Sequence, residues 1–249
     1  MPDSLPTLNT QLLTCRKCPR LVAWREQVAR VKRKAYQDQE YWGKPVPGFG
    51  DPNARVLVVG LAPGAHGSNR TGRQFTGDAS GAFLYPALYR AGFISDVGTW
   101  SPPVGAGSPD PAPAGPLSRD DGLTLTDMYI AAVCRCAPPA NKPLPEEMDN
   151  CQPYLERELA LIRPKVIVAL GRIAFDRVLR ITRQPTGRAS SPITFSHGAV
   201  YPLKTAPLHT EHWLVCSYHP SQQNTQTGRL TVAMFDSVWQ KVNELLAAS

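Results

Sequence analysis

One glycine-rich segment, residues 60–81, combines side chains that are suited to ligand binding and catalysis. An aromatic ring can stack on a planar ligand, an imidazole and a carboxylate can exchange protons, and guanidinium groups bind anions. Its glycines allow the backbone to approach a ligand closely. The functional side chains of the segment are His66, Asn69, Arg70, Arg73, Phe75 and Asp78. We therefore expect this segment to form the ligand site.

The glycine spacing of this segment excludes three familiar loops. Gly64 is followed by Ala65 and His66, so the Lys-Ser/Thr ending of a phosphate-binding P-loop is missing. Gly60, Gly64 and Gly67 do not have the spacing of a dinucleotide fingerprint. The serine of Gly77-Asp-Ala-Ser-Gly81 stands one residue too late for a hydrolase nucleophile elbow. A purely structural connection remains the alternative, although long loops are usually functional.

The segment follows an apolar β-branched run at 55–59, which predicts a buried strand. Further strands are expected at 126–133, 165–171 and 213–218, with an edge strand at 197–202. Helical patterns alternate with these runs, which favours a mostly parallel sheet between helices. Ligands bind at the carboxyl ends of such strands. The helix after the segment has Ser80 as its expected cap, and Asp78 has the alternative role of a helix N-terminal acid.

Composition narrows the class of protein. The 249 residues suit one α/β domain, and a net charge of +7 favours a polyanionic partner such as nucleic acid. No apolar run has transmembrane length and no secretory signal is apparent, so we expect a cytoplasmic protein without a membrane partner. The Pro/Gly-rich stretch at 98–122 predicts a mobile surface insertion.

Four cysteines form a candidate metal site, because disulfides are rare in the cytoplasm. The candidate ligands are Cys15, Cys18, Cys136 and Cys151. Only the first pair has the short spacing typical of zinc knuckles, and iron–sulfur clusters tolerate dispersed thiolates, so spacing leaves both metals open. Cys134 is expected in the core but remains a rival ligand. Cys216 is expected to be a small buried hydrophobe.

Four motifs together resemble a known family. They are the Cys-x-x-Cys pair with its two later cysteines, Gly-Leu-Ala-Pro-Gly at 60–64, Arg-Cys-Ala-Pro-Pro-Ala-Asn-Lys-Pro at 135–143, and His-Pro-Ser at 219–221. The chain is similar over nearly its whole length to family 5 uracil-DNA glycosylases, the type-B enzymes with an iron–sulfur cluster. Segments 60–81 and 223–230 are the most specific parts of this resemblance.

The resemblance implies a single glycosylase domain over 1–249, with an N-terminal Cys-x-x-Cys helix and the insertion at 98–122. It implies the three-layer α/β/α uracil-DNA glycosylase fold with a short, mostly parallel, four-stranded sheet. It also implies a [4Fe–4S] cluster on Cys15, Cys18, Cys136 and Cys151. The substrate would be damaged DNA, double- or single-stranded, and we expect a monomer.

The resemblance also implies roles at the site, where a damaged nucleotide must be flipped into a pocket. Phe75 would stack on the base, Asn141 would pair with its Watson–Crick edge, and backbone amides near Leu61 and Ala62 would hold its carbonyl oxygens. Ordinary alternatives are a core position for Phe75 and a turn position for Asn141.

Catalysis needs a carboxylate near the developing sugar cation and a donor near the departing base. Related glycosylases often carry an acid or amide where this chain has Leu61, so Asp78 is the expected acid. His219 resembles the motif histidine that contacts the leaving base, although a structural histidine is the alternative. Backbone contacts to DNA are expected from Arg73, Ser221, Gln223, Asn224, Thr225 and Arg229.

Three rival functions fit parts of the sequence. A zinc base deaminase would need His-x-Glu and Pro-Cys-x-x-Cys, and neither is present. An electron carrier has no use for the basic charge and large core. A non-enzymatic iron–sulfur protein that binds nucleic acid remains the main alternative, and release of free base separates it from a glycosylase. The lack of an acid at Leu61, with the latitude of the family, leads us to expect that deaminated purines are also accepted.

Overall fold

The computed structural model describes residues 3–102, 117–182, 193–204 and 211–248. The helices of this part of the chain are α1 (Leu5–Leu13), α2 (Pro19–Val31), α3 (Ser68–Thr71), α4 (Ala79–Arg90), α5 (Pro145–Ile162), α6 (Arg172–Thr182), α7 (Gln222–Gln226) and α8 (Val232–Ala247). The strands are β1 (Phe49–Gly50), β2 (Val56–Gly60), β3 (Ile94–Asp96), β4 (Thr124–Leu125), β5 (Met128–Ala132), β6 (Val166–Leu170), β7 (Val200–Lys204) and β8 (Glu211–Ser217). Single 3₁₀ turns lie at Lys34–Tyr36 and Pro139–Asn141.

The main sheet has six strands in the order β1-β5-β2-β6-β8-β7. The four inner strands are parallel, with Val58 of β2 opposite Ile130 of β5 and Val168 of β6. The two edge strands are antiparallel to their neighbours. The expected four-stranded sheet is therefore the parallel centre of a larger one. The expected edge strand near residue 200 is present as β7, whereas β1 was not foreseen.

The residues of the central strands alternate between two cores, as the twofold period of a strand requires. Val56 and Val58 contribute to a core beneath α4 and α8, and Leu57 and Val59 to a core beneath α5 and α6. Inner strands buried on both faces explain the continuous β-branched runs. The predicted three-layer α/β/α arrangement is confirmed.

A smaller apolar cluster joins the N-terminus to the rest of the domain. Leu8 and Leu12 of α1 pack with Tyr154 of α5, with Cys15 and Cys151 at the margin. Cys18 directly precedes α2, whose first residue is Pro19, a favoured start because proline lacks the amide that would be unpaired there. This packing brings the N-terminal cysteine pair to the helix that carries Cys151.

The 98–122 stretch is less peripheral than expected where the structure describes it. Residues 103–116 lie outside the described residues, so the mobility expected there is not tested. At its two ends, however, Trp100 and Asp121 are buried, and the small β3–β4 sheet is close by. In the described ranges, no helix combines the length and apolar character needed to cross a bilayer.

Candidate active site and cysteine cluster

A pocket lies where the loops that follow β2, β5 and β8 meet, at the carboxyl edge of the parallel sheet. This edge is the usual ligand position in an open α/β fold. Its lining residues come from three stretches of chain and are Gly60, Leu61, Ala62, Gly64, Ser68, Gln74, Phe75, Asp78, Ser80, Ala132 and His219. The glycine-rich segment therefore supplies most of the wall, as predicted.

Phe75 forms one face of this pocket in a backbone conformation that few non-glycine residues adopt, with φ of 52°. Its ring packs closely on the backbone of Gly60, where a Cβ would lie 2.7 Å from Cζ. The ring lies 5.8 Å from the imidazole of His219, centroid to centroid, at an angle of 31°. Backbone strain of this kind is typical of functional sites. Here it holds the Phe75 ring in a position where the face of the ring can stack on a planar base.

Asp78 caps α4 and also lines the pocket. Its Oδ1 accepts hydrogen bonds from the amides of Ser80, at 3.0 Å, and Gly81, at 3.1 Å. The expectation that Ser80 caps this helix is therefore wrong, because the carboxylate two residues earlier already binds the free amides. Burial raises the pKa of Asp78, and these two hydrogen bonds and the charge of Arg70 oppose that rise.

The other oxygen of Asp78 lies against the turn formed by Gly64 and Gly67. A Cβ at Gly64 would stand 2.8 Å from Oδ2, and a Cβ at Gly67 would overlap it. No hydrogen bond within the described ranges uses Oδ2, so the cap leaves this oxygen available to the pocket. The same carboxylate is thus both the helix cap and the candidate catalytic acid, so the two roles do not exclude each other.

His219 follows β8 and is neutral at physiological pH, because burial lowers its pKa to about 4. Asn224 of α7 donates to the His219 carbonyl at 2.8 Å and holds this turn in place. A neutral imidazole carries one N–H donor, and the His219 side chain lines the same pocket as Phe75 and Asp78. The structure therefore brings together the predicted stacking, acidic and donor side chains, together with the backbone of Leu61 and Ala62.

Two pocket residues, Ser68 and Gln74, were not singled out in the sequence. Both are buried, and the amide of Gln74 donates to the carbonyls of Val46 and Pro47 at 3.2 Å each. Tyr85 donates to the Gln74 carbonyl at 2.9 Å. Their only sequence signal was membership of the glycine-rich segment. The three bonds of Gln74 hold the segment to the core directly before Phe75.

Two other predicted contacts lie elsewhere. Asn141 is exposed at the end of the 3₁₀ turn Pro139–Asn141, with φ of 56°, and does not line the pocket. This position matches the turn alternative considered for it. Arg73 is buried and makes a two-bond ion pair with Asp121, at 2.7 Å for each bond. The DNA contact expected of Arg73 is not supported by this position, because both its terminal nitrogens bind the carboxylate.

Two further side chains of the glycine-rich segment hold the fold rather than face the pocket. His66 Nδ1 is 3.1 Å from the Tyr41 hydroxyl. Asn69 is fully buried and donates to the Arg25 carbonyl at 3.3 Å.

The expected DNA contacts after His219 lie together around α7, beside the pocket. Ser221 caps this short helix by accepting from the Asn224 amide at 3.4 Å, and Gln223 is exposed. Thr225 donates to the Ser221 carbonyl, and Arg229 lies exposed over the Tyr218 ring, 4.7 Å from its centroid. Their grouping beside the mouth is compatible with phosphate contacts, which stay a prediction.

The four candidate ligand cysteines line one small cavity between α2, α5 and the loop after β5. Several N–H groups point at their sulfurs: Arg25 donates to Cys136 Sγ at 2.8 Å, and the Arg135 amide to Cys151 Sγ at 3.3 Å. Cys134 is fully buried in the main core and does not line this cavity, so its prediction as a core residue is confirmed. Cys216 is likewise buried in the core.

Buried thiols at this cavity resist ionisation in the absence of a bound group. Burial raises the pKa of Cys136 to about 11 and that of Cys151 to about 12, while Arg25 and Arg135 respectively oppose the rise. A metal must therefore displace protons on binding. Within the described residues, no three Cys, His, Asp or Glu side chains stand close enough together to hold a single ion. The donor set nevertheless fits an iron–sulfur group, which takes cysteine thiolates and N–H donors to sulfur.

Comparisons with known proteins agree with this geometry. The sequence model of the Uracil DNA glycosylase superfamily matches residues 47–243. The type-5 uracil-DNA glycosylase of Thermus thermophilus is 50% identical over 235 residues, 94% of each chain. The type-5 uracil-DNA glycosylase of Mycobacterium leprae is 48% identical over 97% of this chain and 96% of its own, and that of Pyrobaculum aerophilum is 42% identical over 89% and 84%. The chain belongs to the uracil-DNA glycosylase superfamily and, within it, to the type-5 group.

Proposed function

We propose that this protein is a monofunctional DNA repair glycosylase that removes uracil from DNA and leaves an abasic site. The observation that supports this most is the convergence of Phe75, Asp78 and His219 on one pocket. A stacking face, a carboxylate and a neutral donor are the groups that base flipping and glycosidic hydrolysis need.

Binding of the flipped base is the first role of the pocket. The base stacks on Phe75, whose ring is held by Gly60. Amides near Leu61 and Ala62 donate to the base carbonyl oxygens. A Watson–Crick contact from Asn141 would require that turn to move on DNA binding, since Asn141 does not line the pocket.

Bond cleavage follows from the charges that develop. As the bond between C1′ and the base nitrogen breaks, its electron pair leaves with the base. The His219 N–H stabilises the base anion, and Asp78 Oδ2 stabilises the sugar cation and orients a water toward C1′. The water oxygen forms the new bond to C1′, its proton is released to solvent, and the base takes up a proton from solvent after it leaves. Neutral His219 suits this role because it donates without carrying its own positive charge into the site.

We further propose that Cys15, Cys18, Cys136 and Cys151 hold a [4Fe–4S] cluster. The bound cluster would supply a covalent link between the N-terminal segment, the loop after β5 and α5. We favour this structural role, since the cluster cavity and the base pocket share no lining residue.

We also propose that the pocket accepts deaminated purines. Its walls at Leu61, Ala62 and Ala132 are apolar, and no acid stands at Leu61 to exclude a larger base. Release of hypoxanthine from duplex DNA, with no release of adenine from the matched duplex, is the expected result. Equal rejection of both bases would contradict it.

Base release from duplex DNA carrying one uracil tests the main proposal, with a uracil-free duplex as the control. Free uracil and an alkali-labile abasic site are expected, together with four iron atoms per chain in the brown protein. Tight DNA binding without base release would favour the non-enzymatic alternative. A monomer in solution and a cytoplasmic location stay predictions, which sizing on a column and fractionation of cells would check.

A further inference from the structure

Arg25 is a buried cation that contacts the cysteine cluster. Its side chain is 3% exposed and lies on the buried face of helix α2, with Leu21, Val22 and Val28. One terminal nitrogen donates to Cys136 Sγ at 2.8 Å and the other to the Cys15 carbonyl at 3.2 Å. Arg25 thus touches two of the four candidate ligand residues directly.

The charge of Arg25 is poorly balanced by protein groups. The nearest carboxylate within the described ranges is that of Glu26, at 3.9 Å, which is 45% exposed and already bonded to Arg16 at 2.6 Å. By contrast, the buried Arg135 is paired with Glu158, and Arg20 with Glu147. Burying a cation without a partner is strongly unfavourable, so such a group normally faces an anion.

We propose that Arg25 is the counter-charge of the iron–sulfur cluster and the hydrogen-bond donor to its Cys136 ligand. This inference rests on the cluster proposed above. Four thiolates around an oxidised [4Fe–4S] core carry a net charge of about −2, and about −3 after one-electron reduction. A buried guanidinium is a suitable partner for that charge, and its planar fork reaches a sulfur and a carbonyl together. Arg25 is therefore a positioning residue for the cluster and takes no part in base excision.

Two consequences follow. The partner of a metal ligand supports retention of the metal, so loss of Arg25 should speed release of iron. A nearby cation and an N–H···S bond also stabilise the reduced cluster more than the oxidised one, because the reduced cluster is more negative. Loss of Arg25 should therefore lower the reduction potential.

A series of substitutions separates the two contributions. Arg25→Met removes charge and donor, Arg25→Gln keeps an N–H donor without the charge, and Arg25→Lys keeps the charge and N–H donors but not the planar fork. Arg30→Gln removes one positive charge from the exposed face of the same helix and is the matched control. Circular dichroism of each variant checks that the helices still form.

The measurements are the rate at which a chelator extracts iron under anaerobic conditions and the midpoint potential of the cluster at an electrode. We expect Arg25→Met to lose iron about tenfold faster or more and to have a lower potential. Arg25→Lys should fall between it and wild type, and Arg30→Gln should match wild type. Equal rates and potentials in Arg25→Met and wild type would overturn the role of Arg25 while leaving the cluster intact. A wild-type protein that takes up no iron on reconstitution would overturn both the cluster and this inference, whereas base release would still be judged separately.

Discussion

Asp78 and Gly67 are matched to each other: the carboxylate Oδ2 occupies the space that any side chain at Gly67 would need. Gly67 has φ of −95°, so its glycine is not required by a left-handed backbone. Gly64 approaches the same oxygen. Gly64 and Gly67 therefore leave the space that the Asp78 carboxylate occupies, in addition to any flexibility that they give the loop.

Gly67→Ala should consequently impair the site more than the fold. The methyl group displaces Oδ2, and an error of about 1 Å in a catalytic group can cost roughly 100-fold in rate. We expect single-turnover uracil release to slow by tenfold to 100-fold, with a small change in the melting temperature.

Gly92→Ala is the contrasting control. Gly92 has φ of +83° and no atom within 4 Å of its Cβ position, so alanine there strains the backbone without touching the site. It should lower the melting temperature and leave uracil release unchanged. If Gly67→Ala and wild type released uracil equally fast, the close fit would have no catalytic meaning.

His219 should give the protein a characteristic dependence on pH. Its pKa is about 4 in the folded protein, compared with about 6.5 when unfolded. The unfolded chain thus binds a proton first as the pH falls. The free energy of unfolding should therefore decrease between about pH 6.5 and pH 4, by roughly 3 kcal/mol at most. Asp78, whose pKa is raised, opposes part of this loss at the acidic end.

Urea titrations between pH 4 and pH 8, on wild type and on His219→Asn, measure this effect. The variant should show a smaller loss of stability on acidification. The rate of uracil release by the wild type should show no ionisation near pH 6.5. A rate that fell with a pKa near 6.5 and became flat in His219→Asn would contradict a neutral His219.

Arg73 should contribute to the stability of the fold, whereas Arg229 should contribute to DNA binding. Removing one partner of the buried pair between Arg73 and Asp121 leaves an uncompensated charge, so Arg73→Met should lower the free energy of unfolding by about 3–5 kcal/mol. Arg229 is exposed beside the pocket, and Arg229→Gln should mainly reduce the salt dependence of DNA binding, by about one unit of slope. Denaturation and DNA titrations at several salt concentrations measure the two effects. This assignment would be contradicted if Arg73→Met had the stability of wild type. It would also be contradicted if Arg73→Met, and not Arg229→Gln, changed the salt dependence of DNA binding.

Most of the sheet could be predicted from the sequence, because buried parallel strands leave short apolar runs rich in β-branched residues, such as Val56–Gly60 and Val166–Leu170. It did not reveal β1, a two-residue strand in a Pro/Gly loop, where pairing is set by the neighbouring strand and not by a local pattern. Edge elements of this length have no periodicity to detect.

The contacts and roles of individual side chains were harder to predict than the strands. Asp78 was recognised as a functional acid and, alternatively, as a helix-end acid, and the structure gives it both positions. The partner of Arg73 lies 48 positions along the chain, so its burial depends on a tertiary contact that composition does not show. Asn141 illustrates the same limit, since a motif gives the residue type but not the direction of its side chain.

The most direct test of the catalytic account uses Asp78→Asn beside Asp78→Ala. Asparagine caps a helix about as well as aspartate, so Asp78→Asn should retain the melting temperature, while Asp78→Ala should lose about 1 kcal/mol of stability. Under single-turnover conditions with a uracil-containing duplex, we expect both variants to release uracil about 100-fold more slowly or worse than wild type. Wild-type rates in Asp78→Asn, with its fold and iron content intact, would show that Asp78 only caps the helix and would move catalysis to His219 and the backbone amides.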